Sequence, residues 1–170
     1  MESLNRMDAA AFKRSEKLPV AVVLDNVRSM NNIGSVFRTC DAFRIDAVFL
    51  CGITAKPPHK DIEKTALGAT ESVNWQYFED TKSAVEKLKT DNYKVFAIEQ
   101  VENSIFLNEF TVEKNEKIAL VFGNEVMGVE QEVINNCYGC IEIPQFGTKH
   151  SLNISVSAGI VLWHVLNLIS

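Results

Sequence analysis

The chain has 170 residues, 46% of them hydrophobic and 23% charged, and a formal net charge of −5. That length suits one domain with a full core, and this balance of apolar and charged residues excludes a disordered chain. The acidic excess gives no global pull toward a polyanion, so a nucleic-acid partner has to meet a local basic surface.

The first residues, Met1-Glu2-Ser3-Leu4-Asn5-Arg6, lack the basic-then-apolar layout of a signal peptide. Residues 1–17 read as a polar, partly helical N-terminal extension, and 18–170 as one domain. Val20-Ala21-Val22-Val23-Leu24 is a β-branched run expected to form a buried parallel strand that ends in a polar loop at Asp25-Asn26. A helix capped by Asn31 or Asn32 follows. Ile33, Val36, Phe37 and Cys40 recur at i, i+3, i+4 and i+7 and face inward, leaving Gly34, Arg38 and Asp41 on the open face.

Strands are expected at 47–51 and 73–78, with a loop at 54–59 around Pro57-Pro58. Asp80 is placed to cap a helix running to about Lys89, followed by strands at 94–98 and 118–122, the latter the most apolar of all. A short helix at 130–136 and a strand at 141–144, stopped by Pro144, lead to a final helix at 155–168. That helix is apolar on nearly every side and therefore expects a core, a partner or both. The apolar stretch around it is interrupted by Ser155, Ser157, His164 and Asn167 and is too short to span a bilayer, so a cytoplasmic protein with no membrane partner is expected. Strands alternating with helices predict an α/β fold, a parallel sheet flanked by helices.

One polar cluster, Asn31-Asn32-Ile33-Gly34-Ser35-Val36-Phe37-Arg38, opens a helix, and two more, Gly123-Asn124-Glu125-Val126-Met127-Gly128 and Ser151-Leu152-Asn153-Ile154-Ser155, lie at the ends of apolar runs. Such strand ends are where α/β proteins place binding sites. Gly123 directly follows an apolar strand, where glycine lets a ligand or another segment approach the backbone. No Gly-x-Gly-x-x-Gly turn follows the first strand, no Walker pattern is present, and His59, His150 and His164 have no triad partners, which disfavours dinucleotide, nucleoside-triphosphate and acyl-transfer chemistry. Cys137-Tyr138-Gly139-Cys140 is half a metal knuckle with no second pair, and its expected place between a helix end and a strand is wrong for a redox pair; no metal is expected. Arg28, Arg38, Arg44, Lys56, His59, Lys60 and Lys64 make one half of the chain basic, either as a solvated face or as a surface for a polyanion, while acids crowd residues 79–116.

Asn32-x-Gly34-x-x-x-Arg38-Thr39-x-Asp41-Ala42, Phe122-Gly123-Asn124-Glu125-x-x-Gly128 and Ile143-Pro144-x-x-Gly147-x-x-x-Ser151-Leu152-Asn153-x-Ser155 resemble, in order and spacing, the three motifs of the SpoU/TrmH-like RNA ribose methyltransferases of the SPOUT class. The resemblance runs from about Val20 to the C-terminus. It implies a C-terminal deep trefoil knot, a homodimer, S-adenosyl-L-methionine as cofactor and methylation of a ribose 2′-hydroxyl in tRNA or rRNA, with no DNA partner. Carried over residue by residue, it implies that Ile98, Gly123, Asn124, Ile143, Ser151 and Leu152 hold the cofactor. Arg38 would be the catalytic arginine, with Asn32, Glu125 and Asn153 beside it.

An arginine, with a pKa above about 12, serves better as a clamp on the adjacent phosphate than as a base. The bland roles are an Arg38–Asp41 ion pair, Asn124 or Glu125 capping the following helix, and Ser151 or Asn153 capping the last one. Two other readings of the whole stand beside this one. One is a catalytically silent knotted RNA-binding or assembly protein. The other is a SPOUT base methyltransferase, against which the Asn-x-Gly-x-x-x-Arg helix speaks. Arg6, Lys13, Arg14 and Lys17 make the extension a candidate RNA-gripping arm.

Overall fold

The computed structural model describes residues 6–170; residues 1–5 of the expected extension lie outside the described part. In chain order the elements are α1 (Ala9–Arg14), β1 (Leu18–Asp25), α2 (Met30–Ala42), β2 (Ile45–Cys51), α3 (Lys60–Ala66), α4 (Ala69–Ser72), β3 (Asn74–Phe78), α5 (Thr81–Thr90), β4 (Tyr93–Ile98), β5 (Ile105–Phe106), β6 (Lys117–Phe122), α6 (Gln131–Asn136), β7 (Gly139–Glu142) and α7 (Ile154–Ile169).

The apolar runs become strands because each feeds two cores at once. Val20, Val22 and Leu24 of β1 enter one layer, while Ala21 and Val23 point to the other. Ile118, Leu120 and Phe122 of β6 divide from Ala119 and Val121 in the same way. This two-residue alternation with both faces buried marks an interior parallel strand. The larger layer is closed by α2 and α7, the smaller by α5, whose Ala84, Val85 and Leu88 face inward as expected. Phe12 of α1 also enters the larger core, so the described part of the extension is packed rather than free.

Among the described residues the sheet has seven strands in the order β3-β2-β1-β6-β4-β7-β5, all parallel. The α/β class and flanking helices are as the alternation of elements implied. β6, late in the chain, sits at the centre between β1 and β4. The carboxyl ends of β4, β6 and β7 therefore lie side by side, and the polar clusters that follow them share one edge. No helix among the described residues is long and apolar enough to cross a membrane.

The structure corrects the reading at three places and adds elements the sequence left unassigned. The cap of α2 is Ser29, which accepts from the Asn32 N–H, so neither Asn31 nor Asn32 caps the helix. Residues 60–72 form α3 and α4, short helices without a strong apolar period. Gly34 is not on an open face: a Cβ there would lie 2.1 Å from Thr65 Oγ1 and 2.2 Å from the Ile62 carbonyl, because α3 rests on it. The seventh strand begins at Gly139 and ends at Glu142, two residues before Pro144, while the two-residue β5 had no pattern long enough to read.

Candidate active site

β6 ends at Phe122, and the chain turns sharply through a small hairpin. Asn124 N–H donates to the Gly128 carbonyl at 3.0 Å, and Gly128 N–H returns to the Asn124 carbonyl at 2.9 Å. Asn124 Oδ1 accepts from Val126 and Met127 N–H at 2.9 and 3.0 Å, and its Nδ2 donates to the Asn26 carbonyl at 2.8 Å. Gly128 closes the turn at φ +69°, a left-handed conformation that favours glycine. Gly123 is required by the same turn, since a Cβ there would sit 2.2 Å from Gly128 C and Val129 N. The close approach anticipated at Gly123 is made by the hairpin itself.

Two carboxylates fix this hairpin to its neighbours. Glu99, just past β4, accepts from Val129 N–H at 3.1 Å. Glu125 accepts from the backbone N–H groups of Arg28 and Ser29 at 3.0 and 2.9 Å, just ahead of α2. Partial burial alone would raise the Glu125 carboxyl, but these N–H donors outweigh it and hold it below the usual carboxylate range. Asn32 Nδ2 reaches the same carboxylate at 3.5 Å, and Asn32 Oδ1 accepts from Asn153 Nδ2 at 3.2 Å. Asn153 in turn caps α7 through Ser155 N–H and Oγ, at 2.9 and 2.6 Å. Glu125, Asn32 and Asn153 thus form one polar chain drawn from three distant segments.

Beside that chain lies a cavity of about 460 Å³ at the carboxyl ends of β4, β6 and β7. Its wall includes Ile98, Gly123, Asn124, Ile143, Ser151 and Leu152, all six residues expected to hold a cofactor, together with Glu125. Arg38 is exposed on α2 and does not line it; the alternative Arg38–Asp41 ion pair does not form, because Asp41 instead receives the Ser72 hydroxyl. Arg38 lies six residues past Asn32, about 9 Å along the helix axis. Neither Asn124 nor Glu125 caps α6, whose start has no side-chain cap, and at α7 the cap is Asn153, not Ser151.

The cavity wall also holds Glu99, Glu142, Gln131 and His150, which the motifs did not single out. For Glu99-Gln100 a signal existed: they are the polar pair that closes the apolar run of β4. The cysteines are free thiols. Burial pushes Cys137 up to about 12 and Cys140 upward, and Cys137 ends a helix rather than opening one.

Fold and site together define a parallel α/β protein with a small-molecule cavity outside the carboxyl ends of central strands, the usual place for a ligand in such sheets. Residues 19–163 match the model of the SpoU rRNA Methylase family, and the chain belongs to that family. It is 30% identical over 144 residues to the tRNA (guanosine(18)-2′-O)-methyltransferase of Borreliella burgdorferi, covering 85% of this chain and 64% of that one. Among solved structures it is similar to the A. aeolicus TrmH/SpoU tRNA modifying enzyme, with a TM-score of 0.81 and 25% identity over 94% of this chain and 79% of that one. An AdoMet-bound rRNA methyltransferase from Sinorhizobium meliloti also matches with a TM-score of 0.81 and 25% identity, over 91% of this chain and 59% of that one. The chain spans less than two thirds of the length of the first curated relatives it matches.

Proposed function

We propose that this protein methylates a ribose 2′-hydroxyl of tRNA or rRNA with S-adenosyl-L-methionine. The observation that carries the reading is the cavity at the ends of β4, β6 and β7 with the Glu125–Asn32–Asn153 chain at its edge. The residues present fit the cofactor. The cavity falls within the roughly 300–1,000 Å³ of small-molecule sites. Ile98, Ile143 and Leu152 offer apolar contact to a nucleobase, and Glu99 and Glu142 bring carboxylates to a ligand that is cationic at both sulfur and amine. When bound, that group supplies a methyl on a sulfonium.

The remaining work falls to the chain. A 2′-hydroxyl is a poor nucleophile, and holding it in line with the methyl is worth up to about 7–11 kcal/mol of barrier. Arg38, exposed and without an ion-pair partner among the described residues, is assigned as a two-pronged clamp on the adjacent phosphate that stabilises charge developing on the oxygen. Asn32 and Asn153 orient the loops beside it, and Glu125 holds the start of α2 against the hairpin. DNA is disfavoured as substrate because it lacks the hydroxyl.

The same reading assigns 18–170 as the methyltransferase domain, preceded by the extension, and a trefoil knot closed by residues 143–170. In support, the chain leaves β7 beyond β4 and returns across the ends of β4 and β6 to meet α2 at the Asn153–Asn32 bond. A homodimer is supported by exposed Val156, Ile160 and Trp163 on one face of α7. Four free thiols suit a reducing cytoplasm.

The test is transfer of labelled methyl from S-adenosyl-L-methionine to bulk tRNA and rRNA, read by nucleoside mass spectrometry. Label as 2′-O-methylribose supports the reading and identifies the RNA class; label on a base moves the protein to a base-modifying branch. Cofactor and RNA binding without transfer to either pool would favour the silent RNA-binding reading.

A further inference from the structure

Between residues 26 and 67 the chain carries six lysines and arginines against four carboxylates, although the whole protein is five charges negative. All six cations are exposed, while Asp41, Asp46, Asp61 and Glu63 are half-buried. Each of those acids already accepts a hydrogen bond: Asp41 from Ser72, Asp46 from Tyr93, Asp61 from Lys64 and Glu63 from Thr70. Lys64 pairs with Asp61 at 2.8 Å, and the other five cations have no ion pair among the described residues. The fold has turned the acids of this stretch inward and left its cations on the surface.

Four of these cations lie on α2 and α3 or just ahead of α2. Arg28 adjoins the Glu125 carboxylate through its backbone, and Arg38 stands on α2. Lys60 and Lys64 lie one turn apart on α3, about 6 Å along its axis. α3 is held firmly to α2, with Thr65 Oγ1 donating to the Asn31 carbonyl at 2.9 Å and no room for a side chain at Gly34. Between the two helices runs a groove of about 430 Å³ lined by Ser29, Met30, Asn31, Asp61 and Lys64. One end of it therefore lies at Ser29, whose N–H holds Glu125, and the other at Lys64.

We propose that this groove and the cations flanking it on α2 and α3 form the track that holds the RNA backbone leading into the site, an inference that rests on the methyltransferase reading. The partner is an RNA strand, because Arg28 and Lys60 next to the lining residues and Arg38 farther along α2 are exposed and unpaired among the described residues, on a protein whose residues outside this stretch sum to a negative charge. That contrast orients RNA toward α2 and α3 before any base is read.

The test measures bulk tRNA binding by fluorescence anisotropy from 50 to 200 mM salt. It compares the wild type, Lys60→Ala/Lys64→Ala, Lys60→Glu/Lys64→Glu, and a control, Lys87→Ala/Lys89→Ala, on α5. Losing two phosphate contacts should make the log–log salt slope shallower by about 1.4, at roughly 0.7 per contact on a single strand. The reversal variant should bind still more weakly. Unchanged S-adenosyl-L-methionine binding by calorimetry shows that the variants keep their fold and cavity, and the control should match the wild type. Unchanged tRNA binding by the reversal variant, or an equal loss in the control, overturns the track while leaving wild-type methyl transfer intact. A wild type that neither binds nor methylates tRNA or rRNA removes the methyltransferase reading, and the track with it.

Discussion

In the proposed site Arg38 is an unengaged charge and Glu125 a fully engaged one. Arg38→Ala should lower turnover by about 10²–10³-fold, the usual effect of removing one preorganised donor to developing charge. Cofactor affinity by calorimetry should stay near wild type, and an equal loss of both would remove the clamp role. Glu125 is different, because its carboxylate gathers backbone donors at the start of α2 and so sits below its ordinary value. A depressed carboxyl adds stability that is present above the unfolded value of about 4.5 and is lost as pH falls through the lower folded value. The melting temperature of the wild type should therefore fall more steeply between pH 5 and 3 than that of Glu125→Gln. Asn32, Arg38, Glu125 and Asn153 were legible as residue types at suggestive spacings. Their arrangement was not, since the Glu125–Ser29 contact joins positions 96 residues apart and no local pattern encodes it.

At the level of elements, α2 shows what periodicity reads well and what it misses. Its inward face, Ile33, Val36, Phe37 and Cys40, is buried as the spacing required. The flank at Gly34 was misread because its partner, α3, is a seven-residue helix after Pro57-Pro58 whose apolar residues Ile62 and Ala66 are too few to announce a period. This contact sets the sign of a substitution that helix propensity alone would get wrong. Alanine gains about 1 kcal/mol over glycine in a helix interior. At Gly34 its Cβ would meet the backbone carbonyl of Ile62 at 2.2 Å, and overpacking costs about 1–3 kcal/mol. Gly34→Ala should thus lower the melting temperature by calorimetry and push α3 outward. The β7 boundary was misplaced for a related reason: Ile141 and Ile143 look like one strand, but pairing to β4 runs only through Ile141 and the chain then leaves the sheet to line the cavity.

For the molecule as a whole, the apolar character of α7 was legible and its division was not. Ile154, Ala158, Val161, Leu162 and Val165 fill the core, while Val156, Ile160 and Trp163 remain exposed, Trp163 by 57%. If a second copy covers that face, light scattering should report a dimer for the wild type and a monomer for Ile160→Asp/Trp163→Asp; a wild-type monomer would remove the dimer. The strand order carries a further consequence, this one for how the protein is made. β6 is the only strand that pairs with both β1 and β4 among the described residues, yet it is encoded after both. A nascent chain stalled short of residue 117 carries only the β3-β2-β1 sheet, open along β1, and a β4 with no strand to pair with, since β7 is encoded later still. Both edges are of the kind that invites mispairing. Synthesis therefore leaves the middle of this protein until late, and the translation of six residues converts two exposed edges into the best-shielded part of the molecule.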